Sequence, residues 1–346
     1  MDSRRPTKSR KTISTQRVTI SGFMIVKNVV SLGYPFLEAI VAVLPVCDEF
    51  LVSDGYSEDN TWEVLQVLRE KLPEKVRLYR DRWRGGTESG QVLSTMTNVL
   101  RDRCNGDYCL YVQANEIIHE DSLEEIRKLP VLFPNTEIFA LPFYNIMGAN
   151  LLWMVQFRKR LFKNEKYIIS KGDAYEMGYD FKSLFPHSYK FLNYLSSRSR
   201  VHAHYLAKPF YRYRAIFPNN YIKKLETRFD LYRDKMLSYM WDKEYQYACT
   251  AMKEINLKNG STESFWQRME LYFSEIMWSD LPPGINLDHL PRRFIRELDD
   301  SPKVMRHILK NQWEYDVRDS LNMLDSVILR GEIAEKLTKP EGDNGG

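Results

Sequence analysis

The chain has 346 residues, of which 43% are hydrophobic and 28% charged. That balance excludes an intrinsically disordered protein and fits one large or two ordinary globular domains. The formal charge of +4 belongs to the amino terminus, where Arg4, Arg5, Lys8, Arg10, Lys11 and Arg17 face only Asp2; the rest is nearly neutral, which excludes a body charged to hold nucleic acid.

Residues 1–17, rich in Ser and Thr and without large apolar side chains, are predicted to form a disordered basic tail. Its expected role is a solubilising arm, with contact to an acidic membrane surface or a partner as the alternative. From Val18 to Lys27 an apolar run predicts a buried first strand. Pro35 to Leu44 has helical spacing, with Pro35 suited to a first turn. Cys47 to Ser53 predicts a second strand, followed by the polar turn 54–61 and the helix WEVLQVLREKL. Val76 to Tyr79, Glu88 to Arg103 and Tyr108 to Gln113 predict a strand, a helix and a strand, and Asp121 opens a short helix. This alternation predicts an α/β fold with a mostly parallel, Rossmann-like sheet flanked by helices.

From residue 137 the segments EIFALPFYNI, LLWMVQFRKRLF and YIIS read as longer aromatic strands, antiparallel or mixed. Residues 18–215 are read as the sheet domain and 216–337 as a helical region, broken at Pro282-Pro283-Gly284 and ending in a frayed tail at 338–346. The mixed aromatic and basic stretches 210–214 and 291–294 are read with that helical part, as a cap on the sheet or a contact for acceptor, partner or membrane.

Four scattered cysteines, Cys47, Cys104, Cys109 and Cys249, form no CxxC pair, which excludes a zinc ribbon and a disulfide scaffold and predicts free thiols. No apolar run is long enough for a transmembrane helix, and no apolar h-region follows the basic start. The expected location is cytoplasmic.

In a parallel sheet, ligands sit beyond the carboxyl ends of the strands. The polar residues expected there are Lys27, Asn28, Asp54, Asp81, Asn115 and Glu116. They are expected to meet in one cleft. A carboxylate at a strand end suits ribose hydroxyls or base N–H groups because it accepts two hydrogen bonds. The chain lacks G-x-G-x-x-G after the first strand, the P-loop and G-x-S-x-G, so a dinucleotide site, a P-loop NTPase and an α/β-hydrolase are not indicated. Trp83, before Gly85-Gly86, is a candidate for stacking on a base or sugar, or a core residue. His119, three residues after Glu116, is read as a surface histidine, with a position facing the site as the alternative.

Five segments carry a resemblance: Lys27-Asn28, DGYSEDNT at 54–61, Asn98 with GDYCLYVQANE at 106–116, RLFKN at 160–164, and HAHY at 202–205. In order and spacing they resemble family 2 glycosyltransferases of the GT-A fold. The resemblance implies an inverting transferase of hexosyl type that moves a sugar from a UDP- or GDP-linked donor to a glycan, protein or lipid acceptor.

One departure stands out. The family's metal-binding DxD positions fall on Gln113 and Asn115, where the sequence reads QAN. Mn²⁺ and Mg²⁺ prefer carboxylate oxygens, so the family's divalent cation is poorly provided for. Three readings follow. Glu116 with His204, beside Gln113, holds a metal. Or Arg158, Arg160, Lys223 and Lys224 neutralise a diphosphate without one. Or the chain is a catalytically silent module that binds sugar nucleotide. Asp173 and Glu176 are the candidate bases, with a helix cap as the alternative role for either. Arg158 and Arg160 share one strand face and are the donor-side cations, unless that face is only solvated.

Overall fold

The computed structural model describes residues 17–83, 91–175, 177–180, 201–227, 235–273, 296–297, 300–309 and 312–331. The tails at 1–16 and 338–346, Glu176, the break at 282–284 and the 291–294 stretch lie outside them.

Apolar β1 (Ile20–Val26) is the central parallel strand, flanked by β2 (Glu49–Asp54) and β4 (Tyr108–Tyr111), with β3 (Val76–Arg80) beyond β2. Burial on both faces explains why β1 is nearly continuously apolar rather than alternating. The helices α1 (Phe36–Val43), α2 (Thr61–Lys71) and α3 (Gln91–Arg101) connect these strands. The α/β expectation and the first four predicted strands are therefore observed.

The second half of the sheet is mixed. Three elements follow β4: the short β5 (Glu116–Ile118), a 3₁₀ turn at Glu120–Ser122, and α4 (Leu123–Leu132). A long hairpin comes next, β6 (Ile138–Met147) with β7 (Leu151–Lys163), turning at Gly148 with φ +60°. A glycine suits that turn because a Cβ there would also press 2.7 Å from the Trp266 ring. Strand β7 pairs antiparallel with β4, which joins the hairpin to the parallel half. β8 (Ile168–Ser170) and β9 (Met177–Tyr179) form a separate two-stranded sheet. β10 (Val201–Ala203) and β11 (Phe210–Ala215) then pair in parallel with β6. The full order is β3-β2-β1-β4-β7-β6-β11-β5.

The 210–214 stretch therefore corrects its sequence reading. Phe210, Tyr211 and Tyr213 are buried and Arg212 is only partly exposed, as an inner strand between β6 and β5 requires.

Past β11 come α5 (Pro218–Thr227), α6 (Lys235–Leu257), α7 (Thr262–Leu271), the two-residue strand β12 (Arg296–Glu297) paired with β7, and α8 (Val317–Leu329). Helices α5, α6 and α7 share an apolar cluster of Tyr221, Leu225, Ala248, Ile255, Phe265 and Trp266, and the Trp266 indole N–H donates to Ile216 O at 3.0 Å. Met305, Ile308, Tyr315 and Leu324 instead enter the main sheet core beside α1. Period-two alternation divides that core. Met24, Phe50 and Val52 face α1, whereas Phe23, Leu51 and Tyr111 face α3 and the β8–β9 pair. Cys47, Cys104 and Cys109 are buried free thiols. Among the described residues, no helix is long and apolar enough to cross a membrane.

Candidate functional site

The carboxyl ends of the parallel strands carry three linked groups of side chains. The first joins the ends of β1 and β2. Asn28 takes φ +53°, a left-handed conformation that Asn tolerates. Its backbone N–H donates to Ser57 Oγ at 2.8 Å, and its side-chain oxygen accepts from Glu58 N–H at 2.8 Å. Asp54 is fully buried. Its carboxylate accepts from the Ser57 N–H and hydroxyl and from Arg80 Nε at 3.0 Å. Asp54 therefore fastens the 54–57 turn, and a ligand reaching it would have to displace Ser57 or Arg80.

The second group lies on the opposite face. Asp81 accepts from Ser53 Oγ at 2.7 Å and twice from the Arg103 guanidinium at 2.6 and 2.9 Å. Those Arg103 bonds hold its carboxyl below the ordinary carboxylate range. Consecutive strand residues point to opposite faces, so Ser53 and Asp81 share one face and Asp54 the other. The expected single cleft of Lys27, Asp54, Asp81 and Glu116 is thus not formed. Lys27 stays at the rim, its ammonium 5.9 Å from the centre of the Trp83 ring. Trp83 presses on Gly55, where an added Cβ would collide with the indole nitrogen, and that nitrogen is buried without a hydrogen-bond partner.

The third group, at the end of β4, is the densest. Glu116 and Arg160 are both 0% exposed and form a two-bond ion pair, Nε to Oε2 at 2.9 Å and Nη2 to Oε1 at 2.7 Å. Gln113 N–H adds a third bond to Glu116, at 3.1 Å. Burial alone would raise the Glu116 carboxyl, but Arg160 and then Arg212 hold it below its ordinary value. Arg160 also donates to Tyr175 O at 2.7 Å. Gln113 Nε2 donates to Ala174 O at 3.0 Å. These bonds clamp the 173–175 turn onto the end of β4, and buried Ala174 sits there with φ +59°. A non-glycine residue pays on the order of 1 kcal/mol for that conformation, so the two bonds determine the turn. Asp173 stands on it, with Oδ1 accepting from Tyr175 N–H at 3.2 Å. The other candidate base, Glu176, lies outside the described residues.

Arg158 lies on the same face as Gln156 and shares its side-chain oxygen with the Tyr175 hydroxyl. The Arg158 guanidinium carbon is 3.3 Å from the Tyr175 ring centre, and that of Arg212 is 5.5 Å from it. Sequence reading missed Arg212, which β11 delivers opposite Glu116 in register. The signal was present as the alternation of FYRYR. Lys223 is exposed, whereas Lys224 is buried and donates to Arg214 O at 2.7 Å.

These donors do not fit the divalent cation that the resemblance implies. Both Glu116 oxygens are taken by Arg160. Asn115 is tied to β11, its Nδ2 donating to Tyr213 O at 2.9 Å. Gln113 offers one amide oxygen, already accepting from Arg212 Nη2 at 3.2 Å. His204 is spent elsewhere, with Nε2 2.8 Å from Glu125 on α4 and Nδ1 3.3 Å from His202. The expected metal set of Glu116, His204 and Gln113 is therefore not assembled. His119 corrects its surface reading, being only 2% exposed and packed against Tyr211. With Glu120 and Asp121 it forms an acidic group, next to which Lys208 pairs with Asp300 and Lys303 with Glu120.

No family model and no curated protein matches the chain. Solved structures do. S. aureus TarS 1-349 in complex with UDP-GlcNAc is 11% identical over 90% of this chain and 92% of that one, with a TM-score of 0.38. A mannosyltransferase, PcManGT from Pyrobaculum calidifontis in complex with GDP-Man and Mn²⁺, is 12% identical over 77% and 72%, also at 0.38. Against a longer S. aureus TarS chain the match is 12% identical, with a TM-score of 0.36, and spans 55% of that chain's length. At these scores the site of the present chain is read from its own residues.

Proposed function

We propose that the chain is a glycosyltransferase that takes a sugar from a UDP- or GDP-linked donor. The supporting observation is that the segments carrying the family resemblance interlock at the carboxyl ends of the strands. Asn28 bonds Ser57 and Glu58. Arg160 bonds Glu116. Asn98 bonds the backbone of Ser170 on both its N–H and its carbonyl. Residues remote in sequence thereby build one rim, where a parallel sheet binds ligands.

In this reading Trp83 and Lys27 receive the nucleoside end, a flat apolar face beside a cation. Asp173, held next to Gln113 by the clamped turn, accepts the proton of the acceptor hydroxyl as that oxygen attacks the anomeric carbon. The nucleoside diphosphate leaves from the opposite face, which inverts the centre. Its charge is met by the guanidinium groups around Tyr175. One observation favours a silent binding module instead: Asp173 Oδ1 already accepts from Tyr175 N–H, so that oxygen is engaged by the turn.

Release of nucleoside diphosphate from a panel of UDP- and GDP-sugars, followed by chromatography, separates the two. The transferase reading expects release that falls at least a hundredfold in Asp173→Asn, with donor affinity kept, since general-base catalysis contributes about 10²–10⁴-fold. Donor binding without any release would establish the silent module.

A further inference from the structure

Two guanidinium groups, those of Arg160 and Arg212, meet at the Glu116 carboxylate near the end of β4. Glu116 is fully used by Arg160. Arg212 stands behind that pair, its Nε 3.7 Å from Glu116 Oε1. Its remaining bonds are long contacts to neutral amides, Nη1 to Asn145 Oδ1 at 3.4 Å and Nη2 to Gln113 Oε1 at 3.2 Å. Its Nε is buried without a hydrogen-bond partner. Burial drags the Arg212 guanidinium below its ordinary value, because desolvation outweighs the help from Glu116. Arg158 brings a further guanidinium to the same Tyr175 ring.

A partly buried cation that shares its nearby carboxylate with another arginine is short of negative charge and is normally matched by an anion. The amides at 113 and 115 cannot supply that anion, and they also remove the carboxylates a divalent cation would need. We infer that Arg212 and Arg158 take the place of the metal and bind the diphosphate of the nucleotide donor directly. The inference rests on the nucleotide-sugar reading above and adds that donor binding is metal-independent.

The chemistry is consistent. Two guanidinium groups supply the charge of one divalent cation, and each offers a planar fork of donors matched to phosphate oxygens. The Tyr175 ring, stacked by both, holds the forks in place, and its hydroxyl is fixed by Gln156 at 2.7 Å. Gln113, where a metal ligand would stand, instead steadies Arg212 through its oxygen and the 173–175 turn through its nitrogen.

Isothermal titration of the full chain with UDP and with GDP, in EDTA and again in Mn²⁺, tests this. Binding in EDTA at an affinity within about twofold of that in Mn²⁺, weakened at least tenfold by Arg212→Gln and by Arg158→Gln, is the expected result. Arg212→Lys should recover only part of the loss, since a point charge lacks the fork. Binding that appears only with Mn²⁺, or that is indifferent to both glutamine variants, overturns the inference and leaves the transferase reading standing. Absence of binding to either nucleotide under both conditions overturns both. The comparison of EDTA with Mn²⁺ needs no variant and so survives any folding defect in Arg212→Gln.

Discussion

The Arg160–Glu116 pair ties β7 to the end of β4 and positions the site, and its removal has a calculable effect. Both side chains are 0% exposed. Arg160→Met keeps most of the stem volume but strands the Glu116 carboxylate, with Gln113 N–H and Arg212 at 3.7 Å as remaining support. Breaking a buried pair from one side costs about 3–5 kcal/mol. Arg212 should recover part of that, so about 3 kcal/mol is expected at pH 7 from urea unfolding. The pH dependence should also change sign. In the parent chain Glu116 titrates below its unfolded value. It therefore contributes stability that is present above the unfolded value and lost as pH falls through the folded one. In Arg160→Met, burial dominates and raises the carboxyl, so the variant should gain stability as pH is lowered from 7 towards 5. Adding Glu116→Gln should recover much of the loss, because the stranded charge disappears. A loss under 1 kcal/mol, or a double variant no better than Arg160→Met, would refute the buried pair as the organiser of this end of the sheet.

Two further outcomes follow from packing in the parallel half of the sheet. Gly22→Ala should cost about 1–3 kcal/mol in thermal or urea unfolding, because its Cβ would overlap the Phe50 ring and lie 2.6 Å from Cys47 Sγ; an unchanged midpoint would show that β1 and β2 can part freely. Ser57→Ala removes the hydroxyl that joins Asn28 N–H to Asp54, so a loss of about 1–3 kcal/mol is expected, with weaker nucleotide binding in the same titration; unchanged affinity would mean that the Asn28 loop does not shape the donor site.

Much of the parallel half was legible because its signals are local. β1, β2 and β4 are apolar runs ended by polar residues, and the intervening helices have their own periodicity. The resemblance segments were visible for the same reason. What escaped were pairings that depend on distant partners. The basic residues of 210–214 read locally as a surface, yet Arg212 belongs to an inner strand facing Glu116. Nothing local to His119 shows that Tyr211 covers it. Asp54 and Asp81 illustrate a different limit. Each ends or follows a strand, as expected, but the one-residue offset between them sends their carboxylates to opposite faces, to Arg80 and to Arg103.

The same offset explains why the charge at this rim is carried by arginines. With Asp54, Asp81 and Glu116 each closed by its own arginine, the acidic residues that the sequence displays at the strand ends serve the scaffold. Arg212, the partly exposed guanidinium left sharing a carboxylate already taken, lies beside Gln113. Neutral Gln113 bonds Arg212 through its side-chain oxygen, whereas a carboxylate at that position would neutralise the guanidinium that the proposed anion binding needs. Gln113 and Arg212 are thus two parts of one electrostatic arrangement.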